Sequence, residues 1–495
     1  MVKLQIILLS LKKISQITII IILLLFGLYL VGTASITALV PFSQAYDESP
    51  LMVCSWAISK GYPLYTLNAF YSLPFYIAKY PPIQYLIQSS FIHYFGITNT
   101  PFRFLVILSA IGSALIISGI VVRFRAGTTA GIISALTFLC LEPVAIWIRY
   151  SNPHMLALFF ELSAAYVILA GCFTPPRAVS FVALVIISLY TNQSLPTIAL
   201  AVMLAFFLER KRLQALLTTA SAGIVWGLVF LAITFATQGG YIAHTIGTSP
   251  SFFDWDIFKN NIADIAHQPF FLTVTLVALI AGAKSSRPKF ALPIILIPLL
   301  WGGFSLGKST SDMKNLLPAS AAVSLALGVS YKPFSEEESV PGELKWISAI
   351  VIFITLTLSL YFKVNILKNW HEKVSNIQKY RSVNPASELI KAVTITGVPV
   401  FSQLPDLPIY VERLPAFSDP QLMAQLILYG LWDPTPFEEA LENRKILAIL
   451  TRRMLKPGVA GGVLSPTIVK IITKNYKLMP FRTEGYFLYI PKKPD

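Results

Sequence analysis

Charged residues are scarce in this sequence. Asp, Glu, Lys and Arg make up 13% of its 495 residues, whereas a water-soluble domain carries about 25%. Hydrophobic residues make up 55%, and the mean hydropathy is +0.67. This composition excludes an ordinary soluble protein and predicts a chain that lies largely in lipid.

Cysteine and histidine are also sparse. The three cysteines, Cys54, Cys140 and Cys172, are far apart and indicate no disulfide framework. The five histidines lack metal-ligand spacing, so no metal site is predicted. A divalent ion bound by carboxylates stays open.

Motifs for soluble nucleotide chemistry are absent too. No Walker loop, dinucleotide fingerprint or nucleophile elbow has the strand and helix context that it needs. The net charge of +15 would suit a nucleic-acid partner, but the basic residues form short clusters between apolar runs, which is the pattern of membrane orientation. We therefore expect no nucleic-acid partner.

Long apolar runs are what the sequence does contain. Their number and length predict a polytopic α-helical membrane protein with about eleven transmembrane helices. The predicted spans are 17–40, 102–122, 127–147, 153–171, 178–191, 194–208, 214–236, 269–284, 290–306, 316–331 and 345–363.

The loops between these runs follow the positive-inside rule when the N-terminus is cytoplasmic. The first run is too long for a signal peptide and is predicted to be an uncleaved helix. An odd number of spans places residues 364–495 outside a plasma (inner) membrane. We predict a transmembrane module over 1–363, with a first outer loop at 41–101 that contains an interfacial helix near 82–96.

Residues 364–495 have the composition of a small α/β domain. Short β-type runs alternate with helical patterns. The β-type runs are Val398–Phe401, Ile446–Leu450 and Phe487–Ile490, and the helical patterns are Pro385–Val393, Pro420–Leu431, Pro436–Asn443 and Pro466–Lys474. Asp406, Asp419 and Asp433 are predicted to be turn and cap residues.

Polar groups concentrate in the first outer loop, whereas the predicted spans hold few ionisable residues other than Glu142 and Glu161. This distribution argues against an ion pathway through the helices. Asp47 and Glu48, just beyond the first helix, have two interpretations: general-base chemistry on an acceptor hydroxyl, or a solvated helix cap.

The order of short motifs in this loop resembles the GT-C class of glycosyltransferases. The resemblance is greatest to bacterial protein O-mannosyltransferases, lipid A aminoarabinose transferases and related envelope enzymes. It rests on Asp47-Glu48, Gly61-Tyr62-Pro63-Leu64-Tyr65, Tyr80-Pro81-Pro82, Phe95-Gly96 and Arg103.

Two later stretches extend the resemblance, and two positions depart from it. Residues 147–152 are similar to the second outer loop of the family, and 307–318 to a later outer turn. Asn152 stands where the family often has an aspartate. Tyr80 stands where the aminoarabinose branch has a lysine, for which the neighbouring Lys79 is a possible substitute.

The resemblance implies a GT-C-like fold and a donor sugar carried on polyprenyl phosphate. It implies that Asp47, assisted by Glu48, acts as general base in an inverting transfer to a glycan, lipid or protein acceptor. Cations would meet the leaving phosphate, namely Lys79, Arg103, Arg149 and Lys308. Groove candidates are Tyr62, Tyr80, Asn152, His154 and Asn315.

Some alternatives remain open from sequence alone. Arg103 and Arg149 have a second interpretation as interfacial side chains that snorkel from helix ends. For the whole chain, the alternatives are a transporter or flippase of a lipid-linked glycan, and a noncatalytic envelope scaffold.

Overall fold

The part of the chain that the structure describes is mainly helical, with one small sheet near the C-terminus. The computed structural model describes residues 2–124, 126–169, 173–194, 196–209, 211–248, 253–284, 288–308, 312–336, 384–395, 397–457, 459–460, 462–483 and 485–493. The predicted span 345–363 and the predicted boundary between 363 and 364 lie outside these residues.

The helices before the gap at 337–383 are numbered along the chain. They are α1 (Val2–Ala38), α2 (Glu48–Ser59), α3 (Pro82–Phe95), α4 (Thr100–Arg123), α5 (Thr128–Cys140), α6 (Glu142–Trp147), α7 (Pro153–Leu169), α8 (Pro175–Thr191), α9 (Thr197–Leu208), α10 (Arg212–Ala236), α11 (Gly240–Ile242), α12 (Trp255–Ala266), α13 (Pro269–Ala283), α14 (Pro288–Ser305) and α15 (Leu317–Glu336).

Among the described residues after the gap there are four α-helices and five strands. They are α16 (Pro385–Val393), β1 (Pro399–Ser402), β2 (Leu414–Pro415), α17 (Pro420–Leu428), α18 (Thr435–Glu442), β3 (Ala448–Thr451), α19 (Pro466–Asn475), β4 (Tyr476–Thr483) and β5 (Tyr486–Pro491). The four predicted helices and three predicted strands of this segment are confirmed, with ends that differ by up to three residues.

The chain divides into two compact units. The helical unit comprises Met1–Thr37, Arg103–Gly227 and Ser251–Val374, and the sheet unit comprises Ala38–Phe102, Leu228–Pro250 and Ser375–Asp495. The first outer loop therefore belongs to the same unit as the C-terminal sheet.

Three described helices are long and apolar enough to cross a membrane: Ile17–Ala38 within α1, α4 and α10. The bent pair α12 and α13, which meet at 89°, would make a fourth if it counts as one span. Six further apolar helices have 10–17 residues. Several apolar helices are thus present, and the predicted number of eleven spans stays a prediction.

Small residues let the helices of the helical unit approach closely. A Cβ on Gly131 of α5 would lie 2.7 Å from Ser118 Oγ and 3.1 Å from the Ser118 carbonyl of α4. A Cβ on Gly328 of α15 would overlap Ser134 Oγ of α5. Such contacts are typical of helices that pack without a hydrophobic driving force between them.

The sheet has the strand order β2-β1-β3-β5-β4, with the first three strands parallel and the last two pairings antiparallel. Alternate side chains face opposite sides. On β1, Phe401 enters a core with Phe75, Phe417 and Phe437, whereas Val400 belongs to the core on the other face.

Three of the C-terminal helices begin with the same local signal. Asn384, Asp419 and Ser465 each accept a backbone N–H with their side chains, and a proline follows each of them. A polar N-cap before a proline at the first helical position is a strong start signal. This signal explains why the sequence located these helices well.

Candidate functional site

The turn before α2 carries the two adjacent carboxylates. Glu48 is fully buried, and its Oε2 accepts hydrogen bonds from the backbone N–H groups of Gln44 (2.7 Å) and Ala45 (3.3 Å). Asp47 is half-buried, and its side chain does not cap α2. Asp47 thus occupies the N-cap position of α2 without a side-chain capping bond, and Glu48 is buried rather than solvated. Glu48 holds the backbone that leads into Asp47, and Asp47 is the more accessible of the two.

Lys79 is placed by a short backbone pairing inside the sheet unit. The N–H of Phe75 donates to the Ala416 carbonyl (2.9 Å), and the N–H of Ser418 donates to the Phe75 carbonyl (3.0 Å). The two segments run parallel at this point. Continuing along both of them brings Lys79 beside Asp419.

Asp419 and Lys79 form a partly buried ion pair, with 3.3 Å between Lys79 Nζ and Asp419 Oδ2. The Tyr46 hydroxyl donates to Asp419 Oδ1 at 2.7 Å. Burial disfavours the charge on Lys79, but the Asp419 carboxylate outweighs this effect and raises the pKa of the ammonium. Tyr80 and Asp47 act in the same direction. Lys79 is therefore a fixed cation that is electrostatically coupled to Asp47.

The two predicted groove tyrosines of this unit differ in exposure. Tyr80 is buried, its carbonyl accepts the Tyr65 hydroxyl at 2.7 Å, and Lys79 Nζ lies 5.5 Å from its ring centroid. Tyr62 is 43% exposed and stacks on Trp56 with 6.3 Å between ring centroids. Tyr80 thus belongs to the Lys79 cluster, and Tyr62 offers an open aromatic face.

His244 ties together two segments of the outer loop. It is fully buried in the short π-helix Ala243–Gly247. Its Nδ1 accepts the backbone N–H of Ala78 (3.2 Å), and its Nε2 lies 2.9 Å from the Thr66 carbonyl. Burial lowers the pKa of the imidazole despite the bond to Thr66. A neutral ring with its proton on Nε2 satisfies both partners and fixes the residue before Lys79.

Acid is expected to destabilise the sheet unit through His244. The folded pKa lies below the unfolded value of about 6.5, so the unfolded chain binds more protons between the two values. The contribution of the neutral ring is present above about pH 6.5 and is lost as the pH falls through the folded pKa. Thermal unfolding at neutral and at acidic pH should show a larger loss for wild type than for His244→Phe. Equal losses in both proteins would exclude His244 as the cause.

Two other aspartates of the sheet unit have structural roles. Asp406 is fully buried and accepts hydrogen bonds from the hydroxyls of Ser43 (2.5 Å), Ser49 and Tyr410 (3.0 Å). Burial raises the pKa of this carboxyl, and the hydroxyl donors oppose the rise. Asp406 lies in a turn, as predicted, and its hydroxyl donors also anchor the turn at 43–49. Asp433 holds a turn as predicted, accepting from the backbone and hydroxyl of Thr435.

The two predicted arginines lie in the helical unit. Arg103 is fully buried, and its Nη1 donates to the Thr37 carbonyl at 3.2 Å, near the C-terminal end of α1. This contact stabilises a helix end, where basic groups are favourable. Arg149 is half-buried, and its Nε has no hydrogen-bond partner among the described residues. Arg149 is therefore the better placed of the two to receive a ligand.

His154 and Asn315 line one cavity of the helical unit, together with Glu161, Trp301 and Lys314. Lys314 is buried, and its Nζ lies 5.0 Å from the ring centroid of Trp147. The sequence marks Lys314, like Lys308, as a basic residue on a predicted outer turn where such residues are unusual, but only Lys308 was predicted to contact the phosphate. The cavity combines an ammonium, an imidazole, an amide and an aromatic wall.

Asn152 holds the start of α7 in the helical unit. Its Nδ2 donates to the carbonyls of Trp147 and Tyr150, both at 2.9 Å, and its Oδ1 accepts the N–H of Met155 at 3.1 Å. An amide can donate and accept at once, whereas an aspartate at this position could not donate to the two carbonyls. These hydrogen bonds explain why an asparagine rather than an aspartate suits position 152.

Lys308 lies just beyond α14. Its Nζ is 4.8 Å from the ring centroid of Trp301 and 5.9 Å from that of Phe304. Burial lowers the pKa of its ammonium. The aromatic faces offset part of the cost of burying the charge. The turn is held by the Asp254 N–H, which donates to the Gly307 carbonyl at 2.7 Å.

The two carboxylates predicted inside the membrane both cap helices. Glu142 accepts the N–H groups of Phe270 (3.2 Å) and Phe271 (2.8 Å), at the start of α13. Glu161 accepts those of Ile198 (2.5 Å) and Ala199 (3.2 Å), at the start of α9. Helix N-termini favour negative charge, so both acids have a structural use.

Glu161→Gln is expected to preserve stability, since the amide oxygen still accepts from Ile198 and Ala199. Glu161→Leu leaves those two buried N–H groups without an acceptor and should cost about 1–3 kcal/mol. Thermal unfolding of both variants in the same detergent tests this. If Glu161 carried protons, both variants would lose activity, because neither Gln nor Leu can titrate.

Among the described residues, no group of three or more His, Cys, Asp or Glu side chains is arranged to hold a metal ion.

The structure brings Asp47, Tyr80 and Asp419 together around Lys79. Sequence reasoning found Asp419 only as a helix cap, because the Asp-Pro pair is a start signal for α17. His244 gave no local signal, since its partners Ala78 and Thr66 lie 166 and 178 positions away. Contacts this distant carry no pattern in a single sequence.

No protein-family model matches the chain, and no curated protein matches it.

Solved structures do match over most of its length. ArnT from Cupriavidus metallidurans bound to undecaprenyl phosphate has a TM-score of 0.59 at 12% identity, covering 94% of this chain and 97% of ArnT. The apo state of the same protein has a TM-score of 0.61 with the same identity and coverage.

The archaeal oligosaccharyltransferase AglB from Archaeoglobus fulgidus, in complex with an inhibitory peptide and a dolichol-phosphate, has a TM-score of 0.49 at 12% identity. The match covers 97% of this chain and 75% of AglB.

At 12% identity, the likeness to ArnT establishes the fold. Together with the apolar helices, it identifies an integral membrane protein. The chain has the GT-C-like fold of ArnT, as the motifs of the first outer loop predicted.

Proposed function

We propose that this chain is a membrane glycosyltransferase. It moves a sugar from a polyprenyl-phosphate donor to an acceptor hydroxyl on the outer face of the membrane, with inversion at the anomeric carbon. The observation that carries this proposal is that one unit holds both the half-buried Asp47 carboxylate and the Lys79 cation, which Asp419 fixes at 3.3 Å. A base beside a cation is what transfer from a phosphate leaving group requires.

Asp47 is the general base. It accepts the proton of the acceptor hydroxyl while that oxygen forms its bond to the anomeric carbon. The bond from the anomeric carbon to the phosphate oxygen breaks, and the polyprenyl phosphate departs with the electron pair. Glu48 is a positioning residue, because its bonds to Gln44 and Ala45 hold the turn that presents Asp47.

Cations lower the barrier by stabilising the charge that develops on the departing phosphate. In the sheet unit this role falls to Lys79, which its carboxylate neighbours keep protonated. In the helical unit, Arg149 and Lys308 are the proposed phosphate contacts. Arg103 has the weakest support of the four, because it is fully buried and bonded to Thr37.

The lipid carrier is proposed from the fold. ArnT was solved with undecaprenyl phosphate, and a chain with this fold and several apolar helices offers a comparable setting for a polyprenyl tail. Tyr62, Tyr80, His154 and Asn315 are proposed to contact the sugar or acceptor, and Asn152 to shape the loop before α7. The acceptor is a glycan, a lipid or a protein.

The proposed membrane topology follows the sequence pattern. The N-terminus is cytoplasmic, the membrane is the plasma (inner) membrane, and residues 364–495 lie outside. On this arrangement the first outer loop and the C-terminal sheet, which form one unit, lie on the side where a flipped donor presents its sugar.

A transporter or flippase of a lipid-linked glycan is the second candidate. The long apolar helices are compatible with a transporter. The acidic residues in the predicted spans do not support one, because Glu142 and Glu161 cap the starts of other helices. Movement of a lipid-linked glycan also requires no general base, so it would not explain why Asp47 lies near Lys79.

The test is transfer of radiolabelled sugar from a panel of polyprenyl-phosphate sugars into cell-envelope fractions. Membranes that contain the chain are compared with matched membranes that lack it. Label that enters an acceptor only when the chain is present supports the transferase and identifies the donor. The transporter is the better proposal if no sugar is transferred but the reconstituted chain moves labelled lipid from one leaflet of a vesicle membrane to the other.

A further inference from the structure

The carboxylate of Asp419 is fully occupied inside the sheet unit. Its Oδ1 accepts the Tyr46 hydroxyl (2.7 Å) and the backbone N–H of Leu422 (3.1 Å), and its Oδ2 accepts Lys79 Nζ (3.3 Å). The side chain of Asp419 is 2% exposed, whereas that of Lys79 is 24% exposed. One end of this ion pair is thus fixed and enclosed, and the other reaches the surface of the unit.

The surroundings hold the pair from both sides. The Tyr46 hydroxyl also accepts the backbone N–H of Gln421 at 2.9 Å, so the phenol is locked between two groups of the α17 start. The chain before Lys79 is held by the pairing of Phe75 with Ala416 and Ser418. These hydrogen bonds hold the Asp419 side chain and the backbone before Lys79 in place.

We propose that Asp419 is a positioning residue for the phosphate-binding cation: it fixes the Lys79 ammonium in the place where it meets an anionic lipid phosphate. The C-terminal segment, whose role the sequence left open, then supplies part of the reaction machinery through Asp419. The inference rests on the proposed function and names the partner group of Lys79 within it.

The charge balance supports this arrangement. The Lys79 ammonium donates to the Asp419 carboxylate, and its side chain is 24% exposed. Asp419, Tyr80 and Asp47 raise the pKa of the ammonium against the effect of burial. Without Asp419 the same burial would oppose the charge with less compensation.

Asp419→Asn is the sharpest variant. Asparagine is as good an N-cap as aspartate, and its amide oxygen still accepts from Tyr46 and Leu422, so α17 should form. The negative charge opposite Lys79 is lost. The matched control is Asp256→Asn, which removes the acid of an exposed pair with Lys259 that has the same 3.3 Å separation.

The first measurement is the rate at which acetic anhydride modifies Lys79 in the full-length protein, followed by mass spectrometry across a pH series. Only the free amine reacts, so each unit of pKa decrease raises the rate about tenfold below the pKa. Asp419→Asn should raise the Lys79 rate, and Asp256→Asn should leave it unchanged.

The second measurement is the affinity for farnesyl phosphate, with farnesol as the uncharged control. Asp419→Asn should weaken farnesyl phosphate binding on the order of tenfold, the scale of one hydrogen bond to a charged group, and leave farnesol binding unchanged. If Asp419 only capped α17, Asp419→Asn would change the affinities for farnesyl phosphate and farnesol by the same factor.

An unchanged Lys79 acetylation rate in Asp419→Asn would overturn the inference, as would an unchanged affinity for farnesyl phosphate. If wild type binds farnesol as tightly as farnesyl phosphate, the proposed lipid-phosphate donor is wrong. That failure belongs to the proposed function, because the acetylation rate reports separately on how Asp419 holds Lys79.

Discussion

Asp47→Asn is expected to lower the rate of sugar transfer by about 10²–10⁴-fold, the range that a positioned general base contributes. The amide is nearly isosteric with the carboxylate but cannot accept the acceptor's proton at neutral pH. The measurement is transfer of labelled sugar in membranes matched for protein content, with the donor identified by the panel experiment.

Asp47→Asn is expected to remove the carboxylate without disturbing the local fold. The Asp47 side chain does not cap α2, so the variant removes no helix cap. The buried Glu48 keeps its bonds to Gln44 and Ala45, and these hold the turn. Thermal stability should therefore stay close to that of wild type.

Asp256→Asn is the control that removes an acidic side chain outside the proposed site. Asp256 lies in the helical unit, in an exposed pair with Lys259, and exposed pairs contribute about 0–1 kcal/mol. Its transfer rate should equal that of wild type. Transfer by Asp47→Asn at the wild-type rate would remove Asp47 from the mechanism, even if the chain proves to be a glycosyltransferase.

Much of the C-terminal fold could be predicted because its signals are local. Asn384, Asp419 and Ser465 precede prolines and start helices. The missed strand β4 shows the limit: Lys477, Pro480 and Arg482 interrupt its pattern. It forms because β5 pairs with it along an edge of the sheet, and such tertiary pairing overrides a weak local preference.

The candidate site was predictable in part for the same reason. The motifs that carry Asp47, Lys79 and Tyr80 lie within one loop, and their order is visible in the sequence. What the sequence did not indicate is that this loop joins the C-terminal core: Ile77 bonds to Ser418 across 341 positions. Neither residue has a pattern that points to the other.

Arg103 and Asn152 illustrate a different limit. Polar residues near predicted helix ends on the outer side suggested ligand contacts, yet Arg103 bonds to the Thr37 carbonyl and Asn152 to Trp147 and Tyr150. Helix ends leave backbone groups without intrahelical partners. A polar side chain near such an end therefore serves the backbone as readily as a substrate, and sequence alone does not separate the two.

Phe75→Ala is expected to destabilise the sheet unit by about 3–5 kcal/mol, the usual cost of deleting a buried aromatic ring. Phe75 is 1% exposed. Its ring centroid lies 4.9 Å from that of Phe417 and 5.4 Å from that of Trp432. The variant loses these aromatic contacts and leaves a cavity that the sheet and α17 cannot close without moving.

Function should decline together with stability. The backbone of Phe75 pairs with Ala416 and Ser418, and this pairing sets Lys79 beside Asp419. A looser core around Phe75 lets the pairing open more often, so Lys79 spends less time in its fixed position. Transfer should fall further than the loss of folded protein alone explains.

Tyr71→Ala is the matched control for Phe75→Ala. Tyr71 is an aromatic residue of the same loop, but it is 71% exposed, and exposed substitutions usually change stability by less than about 0.5 kcal/mol. Unfolding is followed by tryptophan fluorescence in one detergent, since Trp432 contacts Phe75 directly. If both variants unfold like wild type, Phe75 does not join the loop to the C-terminal core. If Phe75→Ala alone is destabilised and transfer falls with it, the core that holds Lys79 in place is also the core that holds the sheet unit together.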